Sequence, residues 1–435
     1  MDPIPNIRET VAAVAAGDVT PVELVQRCQA RIERYDAELC AWATLDFDGA
    51  LREARRLTDM AGRKEIAGPL HGVPIGVKDI IDAAGLPTQA GSPLRRDHVA
   101  DRDAPVVAAL RRAGAIVLGK TVTTEWACFD PPPTRNPWHA ERTPGGSSSG
   151  SAAALAARMC WGALGTQTGG SIIRPATYCG VCGLKPTFSP EAMAGIVPVS
   201  FHLDHVGPMA RSIDDVALLY AAMTGRDGAA VAASESPPAL ALLTSFFMER
   251  ADDEVRAIVA DAWGVLSREA RAVPAPALPT DFAELHAHHR AIMAVDAAQQ
   301  HQLAFEASPK SFGPNVASLL REGLGISATR YAEALRHQQQ FRAAMAAMFD
   351  DDVLFVTPAA NTAAPLRSST GDPLFHAPFS YSGLPTVCLP CGLTKDGLPV
   401  GLQLVGPPWS EDRLLAAAAW CERRLAFAAL PPGLA

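Results

Sequence analysis

Apolar and polar positions along this chain switch repeatedly between a helical and an extended period. Thr20-Pro21-Val22-Glu23 supplies an N-cap, a proline at the first helical position and a capping-box glutamate. Leu24, Val25, Cys28 and Ile32 then recur at the spacing of one helix face. Residues 41–45 predict a strand, 49–62 an arginine-rich helix, and 104–113 a helix ended by Gly114 and followed by a buried strand at 115–119. The alternation resumes with a helix at 151–159 and a strand at 160–164, then a helix at 214–224 and a strand at 239–243. Residues 252–348 read as mostly helical. Strands at 353–357, 386–389 and 398–405 and a helix at 411–425 close the chain. With no linker or repeat to divide it, the pattern predicts one large α/β domain over 1–435. Within it lie N-terminal helices (about 5–65), a motif-dense core (about 66–225), a helical middle (about 250–348) and C-terminal strands with a helix (about 350–435).

Composition narrows the function. Of 435 residues, 48% are hydrophobic and 19% charged, enough apolar surface for a well-buried core. A net charge of −8 argues against nucleic-acid or anionic-membrane partners. No apolar run is long enough for a membrane span, and the N-terminus lacks the basic and apolar regions of a signal peptide, so a cytoplasmic location is expected. The nine cysteines suit a reducing compartment. Two C-x-x-C pairs, Cys179/Cys182 and Cys388/Cys391, lie in apolar surroundings and read as buried thiols rather than a zinc site. His286, His288 and His289 read as a surface cluster that no acid or cysteine completes. Neither metal nor cofactor is expected.

The chemistry gathers in residues 144–186, where two glycine- and serine-rich turns, 145–151 and 168–171, flank an alanine-rich helix and a short strand. Glycines let backbone N–H groups approach a reacting atom, and serines beside them supply hydroxyls. Gly146-Ser147-Ser148-Ser149-Gly150 satisfies G-x-S-x-G with Ser148 at its centre, but that motif needs a strand before it, and the proline-rich residues 130–144 form none. Upstream, the β-branched run 73–81 carries Lys78 and Asp79 in its middle. Two readings are open for Lys78: an edge strand with the amine in solvent, or a desolvated lysine whose pKa falls until it acts as a base.

These pieces together resemble the amidase signature family. The resemblance is carried by Gly-Val-Lys-Asp at 76–79, PGGSSSGSAAA at 144–154, GTQTGGSIIRPA at 165–176 and CGVCGLKPT at 179–187. Leu-Asp-His-Val-Gly-Pro at 203–208 and Gly-Leu-Pro-Val-Gly-Leu-Gln-Leu-Val-Gly at 397–406 continue it. It implies an α/β/α domain with a central mixed sheet covered by helices, and a Ser–cisSer–Lys triad acting on a small-molecule amide. By motif position Ser171 is the nucleophile, Ser147 the bridging serine and Lys78 the terminal base. The N–H groups of Thr168, Gly169, Gly170 and Ser171 form the oxyanion hole. The family also implies a homodimer or, as the alternative, a glutamine-hydrolysing component of a tRNA amidotransferase.

The chain departs from the family run GTDxGGSIRxPA at two places. Gln167 stands where an aspartate is usual, and the arginine falls one position later, as Arg174, with Ile173 in its usual place. Similar runs occur in malonamidase-type members. That likeness implies that Arg174 receives a substrate carboxylate, bidentate binding being what a planar guanidinium does well. Pairing of Arg174 with an acid of the protein is the competing reading.

Overall fold

The computed structural model describes residues 5–226, 236–350 and 352–434. Among them run eleven strands of one sheet: β1 (Trp42–Leu45), β2 (Pro74–Lys78), β3 (Ile116–Thr121), β4 (Gly162–Gln167), β5 (Cys182–Lys185), β6 (His205–Ala210), β7 (Ala239–Leu242), β8 (Arg271–Ala272), β9 (Val353–Pro358), β10 (Thr386–Leu393) and β11 (Pro399–Val405). Their spatial order is β1-β3-β2-β4-β6-β5-β10-β11-β9-β7-β8. β2 pairs in parallel with β3 and β4, and β9 with β7, whereas the pairings from β4 through β6, β5, β10 and β11 to β9 are antiparallel. The sheet is therefore mixed, as expected, and buried side chains from Ile7 to Leu434 form one continuous core around it.

Local chemistry explains most boundaries. The helix Pro21–Leu39 begins with both bonds of its capping box, Glu23 N–H to Thr20 Oγ1 and Thr20 N–H to Glu23 Oε2. β2, β3 and β4 are buried along their whole length: each opens on apolar residues and ends on buried polar ones, Lys78, Lys120-Thr121 and Thr166-Gln167. β2 lies between β3 and β4, so the edge-strand reading of Lys78 fails.

The helix Ser149–Ala156 packs on β2, β3, β4 and β6 and is buried on every side. Its alanines and Gly150 permit that approach. A Cβ at Gly150 would sit 2.1 Å from the Ala41 carbonyl oxygen. The middle of the chain is helical as expected, with Asp253–Leu266, Leu285–Ala307, Pro314–Gly325 and Ala328–Ala346. Its histidines are the correction. His288 and His289 are only 6% and 5% exposed, because the helix carrying them is packed against Pro314–Gly325, Ala328–Ala346 and Ala377–Ser382 instead of lying on the surface.

Candidate active site

Two turns meet at the ends of β2 and β4. Lys78 is the last residue of β2, with no exposed surface. Its Nζ donates to Ser147 Oγ and to Thr166 Oγ1, each at 2.7 Å. Both partners are neutral hydroxyls. Burial therefore dominates, bringing the Lys78 pKa down to about 7, with the nearby Asp204 charge opposing the fall and Arg174 adding to it. The Gly146–Ser147 peptide is cis. Ser148, the centre of the G-x-S-x-G match, spends its hydroxyl on the backbone of β4: it donates to the Thr166 carbonyl and accepts from the Thr166 N–H, both at 3.2 Å. It is a brace, not a nucleophile.

The second turn, 168–171, follows β4 and precedes the helix Ile173–Tyr178. Its four carbonyls are all held. Thr168 O lies 3.1 Å from His289 Nε2, and Gly169 O accepts from Ser380 Oγ at 3.1 Å. Gly170 O accepts from Arg174 N, and Ser171 O from Ser148 N at 3.3 Å. Its four N–H groups make no hydrogen bond among the described residues. Anchored carbonyls beside free amides leave a fixed cluster of donors, the arrangement that stabilises a developing oxyanion. At Gly170 a Cβ would lie 2.8 Å from His376 Nδ1, so only glycine fits that close contact.

Ser171 is 7% exposed and lines a cavity of about 400 Å³ together with Thr168, Gly169, Gly170 and Arg174. His286, His289, Arg290 and Met293 of the helix Leu285–Ala307 form another part of the wall, and Asp372–Leu374 a third. Sequence reasoning misses these wall residues. The face shared by His286 and His289 is the only signal in the sequence, and taken alone it reads as a solvent face. Burial depresses the pKa of His289 to about 4, so it is neutral at physiological pH.

The departures from the family run acquire a physical reason. Gln167 Oε1 accepts the N–H groups of Ile172 and Ile173, both at 3.0 Å, capping the helix that follows, while its Nε2 donates to Ser380 at 3.0 Å. An amide thus does the capping available to a carboxylate and adds a donor bond that a carboxylate could not make. Arg174 matches neither sequence reading fully. Its Nη2 donates to the Gly146 carbonyl at 2.7 Å and its Nη1 to Gly371 O at 3.0 Å; the Asp372 charge lies near, but no acidic side chain bonds it among the described residues. Because its backbone N–H also holds Gly170, Arg174 straps one serine turn to the other.

Asp204 anchors the same turn. Its Oδ1 accepts from Thr168 Oγ1 at 2.5 Å and its Oδ2 from the Val199 and Ser200 amides. Burial still raises its pKa to about 6, against those bonds and the Lys78 charge. The thiols of both C-x-x-C pairs are free; Cys179, Cys182 and Cys388 are buried and Cys391 half-buried.

Residues 23–415 match the family model described as Amidase. The chain is 34% identical to the A-type component of the glutamyl-tRNA(Gln) amidotransferase of Chloroflexus aggregans, over 93% of each chain. It is 33% identical to the putative amidase AmiD of Mycobacterium bovis over 95% of this chain and 92% of that one. Among solved structures it is similar to the native peptide amidase of Stenotrophomonas maltophilia, with a TM-score of 0.85, 30% identity and 98% of both chains covered. None of these is a malonamidase; what they share is the wider family. With its mixed sheet, buried lysine and paired serine turns, the chain belongs to the amidase family, hydrolases of carbon–nitrogen bonds in amides.

Proposed function

We propose that this chain hydrolyses the amide bond of a small molecule through an acyl-serine intermediate formed on Ser171. The observation that carries this reading is the 2.7 Å bond from Lys78 to Ser147, made by a buried amine that no carboxylate contacts. Ser171 Oγ attacks the amide carbonyl as its proton passes through Ser147 to the neutral Lys78. The N–H groups of Thr168, Gly169, Gly170 and Ser171 stabilise the tetrahedral oxyanion. Protonated Lys78 returns the proton through Ser147 to the departing nitrogen, which leaves as ammonia or an amine. Water then attacks the acyl-enzyme by the same relay, freeing the acid and restoring Ser171. No cofactor takes part.

Within this reading the substrate carries a carboxylate near its amide, as a dicarboxylic monoamide does, set against Arg174. Two features support this: Arg174 reaches the cavity wall, and its guanidinium bonds backbone carbonyls and no acidic side chain among the described residues. The test compares a monoamide with its uncharged isostere in wild type and Arg174→Lys. Because Arg174 also braces Gly146, the informative quantity is the preference between the two substrates. A preference for the monoamide that falls at least tenfold supports the role; an unchanged ratio removes it.

A second reading is favoured by the likeness to the A-type components of amidotransferases: a glutamine-hydrolysing chain that works in a complex. Ammonia release from a panel of simple amides and from glutamine, measured on the purified chain alone, separates the two. Turnover of simple amides without a partner supports the stand-alone enzyme. Activity on glutamine only, and only after a partner is added, supports the complex.

A further inference from the structure

The turn 168–171 offers only donors to whatever enters the Ser171 cavity, and the helix Leu285–Ala307 sets a group of the opposite kind beside it. His289 Nε2 lies 3.1 Å from the Thr168 carbonyl oxygen, which can only accept, so the ring proton is on Nε2. Burial keeps the ring neutral, with a pKa of about 4, and a neutral ring protonated on Nε2 carries a lone pair on Nδ1. That nitrogen has no hydrogen-bond partner among the described residues, yet unlike Nε2 of His286 it is not sealed from accessible space. The ring lines the cavity, and its Cε1 lies 3.6 Å from the place a Cβ would take on Gly169 of the oxyanion turn. Both cations of the wall are engaged elsewhere. Arg290 donates to the Glu322 carboxylate at 3.0 and 2.7 Å, and Arg174 donates to two backbone carbonyls. Asp372 is exposed and accepts from the Leu374 N–H through Oδ1 at 2.9 Å. Phe129, Val199, Met293 and Leu374 make much of the remaining wall apolar.

We propose that His289 is a specificity-determining residue of this cavity: its Nδ1 accepts a hydrogen bond from an O–H or N–H donor that the substrate carries close to the scissile carbonyl. A lone pair in such a cavity loses its water when a ligand fills the space, and only a ligand with a donor of its own restores the bond. Sites built to bond a substrate hydroxyl or amine discriminate strongly against the analogue that lacks it, for the same reason. The two ring nitrogens then have separate tasks. Nε2 holds the Thr168 carbonyl, and with it the oxyanion turn, while Nδ1 reads the group beside the carbonyl under attack. This role rests on the amidase reading of Ser171 and narrows its substrate to a mainly apolar amide that carries a donor.

Equilibrium binding to the full chain carrying Ser171→Ala tests this without requiring turnover. The probes are pairs of butanamides in which a hydroxyl replaces a methyl at the second or third acyl carbon, or at the end of an N-alkyl chain. At one of these positions the hydroxyl member should bind about tenfold more tightly than its methyl partner. Adding His289→Gln should abolish that preference, because glutamine can place an amide N–H on the Thr168 carbonyl but has no acceptor where Nδ1 stood. Nitrogen NMR of the histidine-labelled chain gives a second measure, and decides the matter where His289→Gln does not fold. His289 Nδ1 should resonate as an unprotonated nitrogen in the free chain and shift on addition of the preferred amide but not of its methyl partner. Equal binding within every pair, a preference that survives His289→Gln, or a proton found on Nδ1 overturns the role. A preference that depends on His289, with no turnover of these amides by the wild type, leaves the role standing and removes the amidase reading instead.

Discussion

Lys78 and Lys120 stand on adjacent parallel strands, both fully buried, and the strand register turns them to opposite faces of the sheet. Lys120 donates to Asp79 at 3.2 Å, to Thr88 at 3.0 Å and to the Pro87 carbonyl at 3.0 Å. Burial pulls its pKa down, but the Asp79 charge opposes the fall. Lys78 has two hydroxyls and no carboxylate in contact, and it drops to about 7. The difference teaches that burial alone does not make a lysine a base. It needs a dry site without a contacting counter-charge, and a hydroxyl placed to pass the proton on. Lys185, just as buried, donates to the Pro186 carbonyl and bonds no serine among the described residues. One lysine is tied to a carboxylate, one to a backbone carbonyl, and one to a hydroxyl of the first serine turn.

Exchanging each lysine for methionine should break the comparison most sharply. Lys78→Met should lower kcat/KM for amide hydrolysis by about 10³-fold or more, with folding stability at neutral pH changed by less than about 2 kcal/mol. Lys120→Met should do the reverse. It strands Asp79 in the interior and should cost about 3–5 kcal/mol in denaturant unfolding, while the folded fraction keeps its rate within about threefold. Restoring most of that stability with Asp79→Asn in the Lys120→Met background would show that the penalty came from an unpaired charge.

The second test is pH. In the proposed relay Lys78 must be neutral to take the proton, so kcat/KM should rise through an apparent pKa of about 7 and level off above it. Stability follows from the same shift. Between about 7 and the ordinary lysine value the unfolded chain holds the proton and the folded chain does not, so this group makes stability increase with pH across that window. Lys78→Met should lose both the activity limb and that share of the slope. The smallest effect is expected from Asp204→Asn, whose amide can still accept from the Val199 and Ser200 N–H groups and donate to Thr168. Removing the carboxylate charge should lower the Lys78 pKa further and move the limb to more acidic pH. A limb that stayed in place would mean that Asp204 is already neutral.

What could be read from the sequence follows from where its information is local. Capping boxes, glycine turns and β-branched runs locate the helix at 21–39 and the strands around Lys78 and Ser171 because each depends on a few neighbouring residues. The same is true of the two serine turns, whose roles come from the resemblance and whose geometry then appears as hydroxyl, carbonyl and amide contacts. The cavity wall is not legible. His289 is buried by contacts with Thr168, 121 positions away, and Arg174 is held by Gly371, 197 positions away. No periodicity within one helix reveals such partners. Gln167 is the intermediate case: its departure from the family run is visible, but its purpose, capping Ile172 and Ile173 while reaching Ser380, is not.

The central claim is that Ser171, relayed through Ser147 to Lys78, carries the acyl group. Rapid quenching of enzyme mixed with a hydrolysable amide, followed by intact-mass measurement and peptide mapping, tests it directly. One acyl group should accumulate on Ser171 before steady state, and none should form in Ser171→Ala or Lys78→Met. Turnover in Ser171→Ala, or an acyl group mapped to Ser147 or Ser148 in the wild type, would contradict the account.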